Sequence, residues 1–167
     1  MDCKENQVST LLVDQIGKKI WKVKNEAGDF IKKSYFQHDN IDVFYKLKQT
    51  SHPNVCEIWD IIEHEDHFDV WEPYLGELTL LNWTPIQNEE AFVNIMLQIF
   101  DGVRFLHSHK IVHRDLKPEN IYLVNGRVVI ADFDISKEYV HNPHQRRDTT
   151  VLGSVGYASP EQYGFMR

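Results

Sequence analysis

The segment from Ile111 to Ser136, IVHRDLKPENIYLVNGRVVIADFDIS, constrains the fold of this chain more than any other. Within it, two short apolar runs flank Asn125 and Gly126, and Asn-Gly is the pair most typical of a two-residue hairpin turn. A hairpin here folds the chain back on itself. It therefore brings the charged loop HRDLKPEN close to the acidic stretch DFDIS that follows the second strand.

The residues before this segment predict a sheet with one helix. Residues 8–36 contain three strand-like runs, with NEAGD as the turn between the last two. Residues 39–50 are helix-like because apolar side chains recur at every third position, and the proline of SHPN ends the helix. Two further extended runs, residues 55–65 and 67–74, complete the N-terminal part.

A long amphipathic helix is predicted over residues 88–107, with Asn88 as its cap. Its apolar positions fall on one face and are Phe92, Ile95, Ile99, Val103 and Leu106. Residues 137–167 are polar and typical of a loop. The order of elements predicts two lobes that meet near residues 75–83.

The composition excludes several classes of protein. With 42% hydrophobic and 26% charged residues, the chain is typical of a globular domain rather than a disordered one. Its net charge of −7 opposes general affinity for nucleic acid or anionic membranes. We expect free thiols at Cys3 and Cys56, no signal peptide, no membrane-spanning run, and a cytoplasmic location.

The polar residues of the loop match the needs of phosphoryl transfer, which are the positioning of two substrates and the neutralisation of phosphate charge. Asp115 can accept a hydroxyl proton, and Lys117 can reach a transferring phosphate. Asn120 and Asp132 offer a neutral and a charged oxygen, a set of hard ligands that suits Mg²⁺. Because the hairpin joins them, we expect these two residues at one metal site.

HRDLKPEN, with DFD at 132–134 and SPE at 159–161, resembles the eukaryotic-type (Hanks-type) serine/threonine protein kinases. The stretches DFDIS and DTTVLGSVGYASPEQYGF are similar to the bacterial kinases of this type, and the resemblance covers residues 11–165. It implies an α+β, protein-kinase-like two-lobe fold. The N-lobe, 1–74, would hold an antiparallel sheet and one helix, and 75–167 would form a partial helical C-lobe.

The resemblance implies an enzyme that transfers the γ-phosphate of ATP to a serine or threonine hydroxyl of a protein substrate. Asp115 would be the catalytic base and Lys117 the phosphate contact. Asn120 and Asp132 would be the Mg²⁺ ligands. ATP and Mg²⁺ are therefore the cofactors that the resemblance implies.

Regulation and acceptor binding are implied by further matches. Arg114, before the catalytic Asp, suggests control by a phosphorylated activation loop. Thr149 or Thr150 would be the modified residue, and a plain solvated loop is the alternative. Ser154 stands where the family usually has a threonine beside the substrate hydroxyl.

The nucleotide contacts implied by the resemblance lie in the N-lobe. Lys32 matches the strand lysine that contacts the α- and β-phosphates, although Lys33 beside it leaves the register open. The carbonyl of Glu72 and the amide of Tyr74 would bind adenine. Gly17 is what remains of the glycine-rich loop over the phosphates, with a simple strand turn as the alternative reading.

The chain departs from the kinase pattern at two further positions. The helix glutamate that should pair with the strand lysine is missing, because Val43 stands in its place. Asp39 or Asp42 could replace that glutamate only if the helix shifts. Asp134 replaces a glycine, a milder departure that is compatible with an active loop, because Asp tolerates a left-handed backbone better than most residues.

The chain ends soon after SPE, before the helices that follow in the family. We therefore expect a C-terminally truncated kinase, with weak or absent turnover of its own and an apolar helix face that meets water. The main alternative is a catalytically weak, kinase-like (pseudokinase) module that binds a partner or nucleotide. A homodimer, or a partner chain that completes the fold, stays open.

Overall fold

The computed structural model describes residues 7–36, 40–83, 88–138, 153–154, 156–160 and 162. The chain divides into two compact units. The first comprises Met1–Ser51 and Cys56–Tyr74, and the second comprises His52–Val55 and Leu75–Arg167. The lobes assigned from the sequence, 1–74 and 75–167, remain a prediction about how the protein is organised.

The first unit is built on a five-stranded antiparallel sheet. Its strands are β1 (Val8–Gln15), β2 (Lys18–Asn25), β3 (Gly28–Tyr35), β4 (Asp60–Glu63) and β5 (Phe68–Pro73), in the spatial order β1-β2-β3-β5-β4. One helix, α1 (Ile41–Lys48), follows β3. The predicted α+β fold, with an antiparallel sheet and one helix in this part of the chain, is confirmed.

Helix α1 packs onto one face of this sheet through aromatic contacts. The ring of Tyr35, at the end of β3, lies 5.2 Å from Phe44 of α1 and 5.1 Å from Phe68 of β5. Phe44 and Phe68 are fully buried. Because side chains alternate between the two faces of a strand, Lys33 shares the α1 face with Tyr35, and Lys32 lies on the opposite face.

The second unit begins its helical part with α2 (Glu89–Ser108). The side-chain oxygen of Asn88 accepts the N–H of Glu90 at 2.9 Å, so the predicted cap is confirmed. Four short strands and one 3-10 helix follow: β6 (Ile111–Val112), the 3-10 helix (Pro118–Asn120), β7 (Ile121–Val124), β8 (Arg127–Ile130) and β9 (Lys137–Glu138).

The hairpin of β7 and β8 turns at the predicted residues. Asn125 has a φ of 52° and Gly126 a φ of 78°, and both values are positive, as a type I′ turn requires. The two-residue strands β6 and β9 also pair antiparallel. The sequence did not predict this second pairing, because strands so short leave no periodicity to detect.

The HPN motif anchors the base of the hairpin. Asn54 donates from its side-chain nitrogen to the carbonyl of Val128 at 2.8 Å and to the side-chain oxygen of Gln98 at 3.1 Å. Its own carbonyl accepts the N–H of Ile130 at 2.9 Å. Asn54 is buried, so it holds β8 to α2 with hydrogen bonds that water does not replace.

Helix α2 buries only part of its apolar surface. Gly102 and Leu106 are its buried residues, and a Cβ at Gly102 would lie 2.9 Å from the carbonyl oxygen of Asn54. Phe92, on the apolar face predicted from the sequence, is 51% exposed, in agreement with the expectation that this face meets water. No helix within the described ranges is long and apolar enough to cross a membrane.

Candidate active site

The loop after β6 is organised around a buried histidine. His113 is 3% exposed, and its Nδ1 accepts the backbone N–H of Asp115 at 3.3 Å. Its Nε2 therefore carries the proton and donates to the carbonyl of Ala131 at 3.0 Å. His113 therefore connects the loop to Ala131, the residue just after β8, and holds the backbone of Asp115 in place.

The carboxylate of Asp115 lies at the centre of a hydrogen-bond network. Its Oδ1 accepts the hydroxyl of Ser154 at 2.7 Å and the N–H of Ser154 at 3.1 Å. Its Oδ2 lies 3.0 Å from Nζ of Lys117 and accepts a hydrogen bond from the Asn120 side chain at 3.1 Å. Lys117 also donates to the Ser154 hydroxyl at 2.7 Å, which closes a triangle of three side chains.

This network keeps Asp115 ionised. Partial burial alone would raise the pKa of its carboxyl, but hydrogen bonds from Ser154 and Lys117 and the charge of Lys117 outweigh burial. The hydrogen bond from Asn120 acts in the same direction. The pKa of Asp115 therefore lies below its ordinary value of 3.8, and at neutral pH the group is a carboxylate that can accept a proton.

Asn120 and Asp132 provide oxygen ligands of the kind that Mg²⁺ prefers. The Asn120 side-chain nitrogen donates to the Asp115 carbonyl at 2.8 Å as well as to its carboxylate, so its amide oxygen is the atom it can offer to a cation. The carbonyl of Asn120 accepts the N–H of Ala131 at 2.9 Å, one residue before Asp132. The donor chemistry of this pair, one amide oxygen and one carboxylate on adjoining segments, is of the kind that suits a magnesium ion.

The backbone after β8 is left-handed at Asp132. Asp132 has a φ of 66°, whereas Asp134 is not among the described residues with positive φ. The left-handed conformation that Asp tolerates is therefore used at Asp132 and not at Asp134. Phe133, which lies between them, is fully buried, and its ring lies 5.1 Å from that of His113. Because the Phe133 side chain is anchored in this way, the tight backbone bend falls at Asp132.

Two of the candidate nucleotide contacts, Gly17 and Tyr74, lie in the first unit. Gly17 has a φ of 83° and lies in a two-residue turn, since Gln15 pairs with Lys18 across β1 and β2. So short a turn presents few backbone N–H groups to a phosphate. Tyr74 lies under the ammonium of Lys22, 3.6 Å from the ring centroid.

The two adjacent lysines of β3 have different environments. Lys32 lies 4.2 Å above the ring of Trp21 and 3.5 Å from the Asp69 carboxylate. Lys33 is buried, with its ammonium 2.9 Å from the carboxylate of Glu72. Lys32 is therefore half-buried on one face of β3, and Lys33 is buried and ion-paired on the other face. The sequence alone had left open which of the two is the strand lysine.

Comparison with known families matches residues 15–164 to the protein kinase domain. The chain belongs to the protein kinase family.

Several curated kinases are similar to it. The probable serine/threonine-protein kinase PknB of Lactococcus lactis is 33% identical over 141 residues, which are 78% of this chain and 22% of that protein. PrkC of Bacillus subtilis is 36% identical over 66% of this chain and 18% of its own length. The human kinase MAK is 30% identical over 81% of this chain and 25% of its own length. The chain thus spans at most about a quarter of these relatives.

The kinase activation segment is described only in part. Gly153 has a φ of 111°, and a Cβ there would lie 3.2 Å from the Arg114 carbonyl and 2.9 Å from the Ala158 side chain. A glycine is therefore needed beside Ser154, and the sequence did not single it out. Arg114 donates from Nε to the carbonyl of Ile135 at 2.7 Å. Thr149, Thr150 and Glu161 lie outside the described residues.

Helix α1 contributes no inward-facing acid among its described residues. Its buried residues are Val43, Phe44 and Leu47, and its acidic residue, Asp42, is exposed. Asp39 lies outside the described residues. Val43, which stands where the kinase pattern has the helix glutamate, is thus buried. Asp42 does not face the sheet.

Proposed function

We propose that the protein is a serine/threonine kinase that transfers the γ-phosphate of ATP to a hydroxyl of a protein substrate, with this chain providing the phosphoryl-transfer loop. The triangle of Asp115, Lys117 and Ser154 carries the proposal. It joins an ionised carboxylate, an ammonium and a hydroxyl at distances of 2.7–3.0 Å. The kinase names of the relatives support a catalytic role and give no support to the alternative of a binding module.

Each side chain has a role in the proposed transfer. Asp115 orients the attacking hydroxyl and accepts its proton, as it already accepts the hydroxyl of Ser154. Lys117 offsets negative charge on the transferring phosphoryl group. When bound, Mg²⁺ would supply further neutralisation of the ATP phosphates, and Asn120 and Asp132 would hold it.

The remaining nucleotide contacts are also proposals. Gly17, Glu72 and Tyr74 stay the candidates for the phosphate cover and the adenine contacts. A lysine of β3 would contact the inner phosphates, and its identity is taken up below. ATP and Mg²⁺ as cofactors, a protein acceptor and a cytoplasmic location complete the proposal, with support from family membership and the acidic charge of the chain.

Transfer of radiolabel from ATP to a generic protein substrate tests the function. We expect Asp115→Asn to lower the transfer rate by about 10²–10⁴-fold, because the amide cannot accept the proton. Asp101→Asn is the matched control, since Asp101 lies on α2 in an exposed pair with Arg104. Equal label incorporation by the wild type and Asp115→Asn would rule the proposal out.

A further inference from the structure

The buried ion pair between Lys33 and Glu72 has no counterpart in the motifs read from the sequence. The side chains of both residues are 7% exposed, and Nζ of Lys33 lies 2.9 Å from Oε1 of Glu72. A charged group this deeply buried is tolerated only when it is paired, so this contact stabilises both residues. By contrast, the Lys48–Asp60 pair of the same unit is 36% and 55% exposed.

The sheet register explains how the pair forms. Lys33 lies directly opposite Val70, and Glu72 is two residues further along β5 on the same face. That face is the one under α1, where Tyr35 stacks on Phe68. The ammonium of Lys33 on β3 is therefore held by a side chain of the neighbouring strand β5.

The charges of Lys33 and Glu72 both affect the pKa of a neighbouring thiol, that of Cys56. Burial raises the pKa of the nearby Cys56 thiol well above its ordinary value, the charge of Glu72 raises it further, and Lys33 opposes the rise. Helix α1 contributes Val43 rather than a carboxylate to its buried side. Glu72 is thus the acid that the described structure provides for this lysine.

We propose that Lys33, rather than Lys32, is the phosphate-contacting lysine of this kinase, and that Glu72 of β5 positions it in place of a helix glutamate. The role at the phosphates rests on the proposed function. In protein kinases the lysine–glutamate pair forms only when the helix is correctly placed, so helix movement controls activity. Here both partners of the observed pair belong to the sheet, so the pair does not require a carboxylate from α1.

The pairing is tested by a double-mutant cycle on thermal unfolding of the full chain, with Lys33→Met, Glu72→Gln and the double variant. We expect each single substitution to lower the melting temperature and the double variant to recover a large part of the loss, because it leaves no lone buried charge. The same cycle on Lys48 and Asp60 should be nearly additive, since that pair is exposed. Additive losses at Lys33 and Glu72 would overturn the pairing.

The role of the lysine is tested by the kinetics of phosphate transfer. We expect the folded double variant Lys33→Met/Glu72→Gln to lose about 10²–10³-fold in kcat, because a preorganised cation at the phosphates is gone. Lys32→Met and Asp42→Asn should each change kcat/KM by less than about threefold. Glu72→Gln alone should lower kcat by about tenfold or more through misplacement of a lysine that is still present. A large loss in Lys32→Met with little change in the double variant would overturn the proposal.

Binding of Mg-ATP separates this inference from the proposed function. If the wild type transfers no phosphate but Mg-ATP still raises its melting temperature, the proposed function fails. The melting-temperature shifts of the variants then decide which lysine contacts the phosphates. The shift should then persist in Lys32→Met and vanish in Lys33→Met/Glu72→Gln, and the reverse would overturn the inference. A wild type with neither transfer nor shift would overturn both.

Discussion

The HRDLKPEN loop of the second unit and the strands of the first unit that carry the candidate nucleotide contacts follow the kinase pattern to different degrees. In the loop, Asp115, Lys117 and Asn120 meet one another in a single hydrogen-bond network. In the strands, Lys32 and Lys33 lie on opposite faces, and it is Lys33 that pairs with Glu72 of β5. The contrast teaches that a contiguous motif fixes its own geometry, whereas residues on separate strands meet according to register.

Within the second unit, the largest stability effect should come from Asn54, which anchors the loop's hairpin. Asn54→Ala removes two side-chain hydrogen bonds and leaves the Val128 carbonyl without this donor, so we expect a loss of about 1–3 kcal/mol in the free energy of unfolding. Chemical denaturation of the full chain measures it. Asn94→Ala, an exposed position on α2, is the control and should change little. An equal, small effect of both substitutions would mean that HPN does not hold the hairpin.

A smaller effect concerns the charge of the loop. The pKa of Asp115 is lowered in the folded chain, so its contribution to stability is complete above the ordinary value of 3.8 and is lost as the pH falls through the folded pKa. Lys117→Met removes a hydrogen bond and a positive charge, so it should raise the pKa of Asp115 and move this loss to higher pH. Carboxyl-selective NMR titration measures the change.

Lys24→Met is the control for that titration, because Lys24 is an exposed lysine of β2. It removes the same formal charge from the chain and should leave the Asp115 titration unmoved. If both variants shifted it alike, the low pKa would reflect the net charge of the molecule rather than the contact with Lys117.

The sequence was most informative where residues close in the chain are also close in space. The Asn-Gly turn, the α2 cap and the loop residues Asp115 to Asn120 depend on short separations, and local chemistry was enough to predict their arrangement. Lys32 and Lys33 could not be separated in this way, because adjacent lysines read equally well in either register until β5 is paired with β3.

One local detail was not anticipated from the sequence. The left-handed backbone occurs at Asp132 rather than at Asp134, and the burial of Phe133 that accompanies it is a tertiary feature. Phe92 matches the apolar period of α2 and is exposed, in agreement with the expectation that the apolar face of this helix meets water.

The most direct test of the central claim is the Mg²⁺ dependence of phosphate transfer from ATP, measured for the wild type, Asp132→Asn and Asp134→Asn. We expect Asp132→Asn to raise the half-saturating Mg²⁺ concentration by about tenfold or more, because the charged oxygen ligand is lost. Asp134→Asn, two residues away, should leave the curve in place. Superimposable curves for the wild type and Asp132→Asn, or a larger shift in Asp134→Asn, would contradict the claim that Asn120 and Asp132 hold the metal.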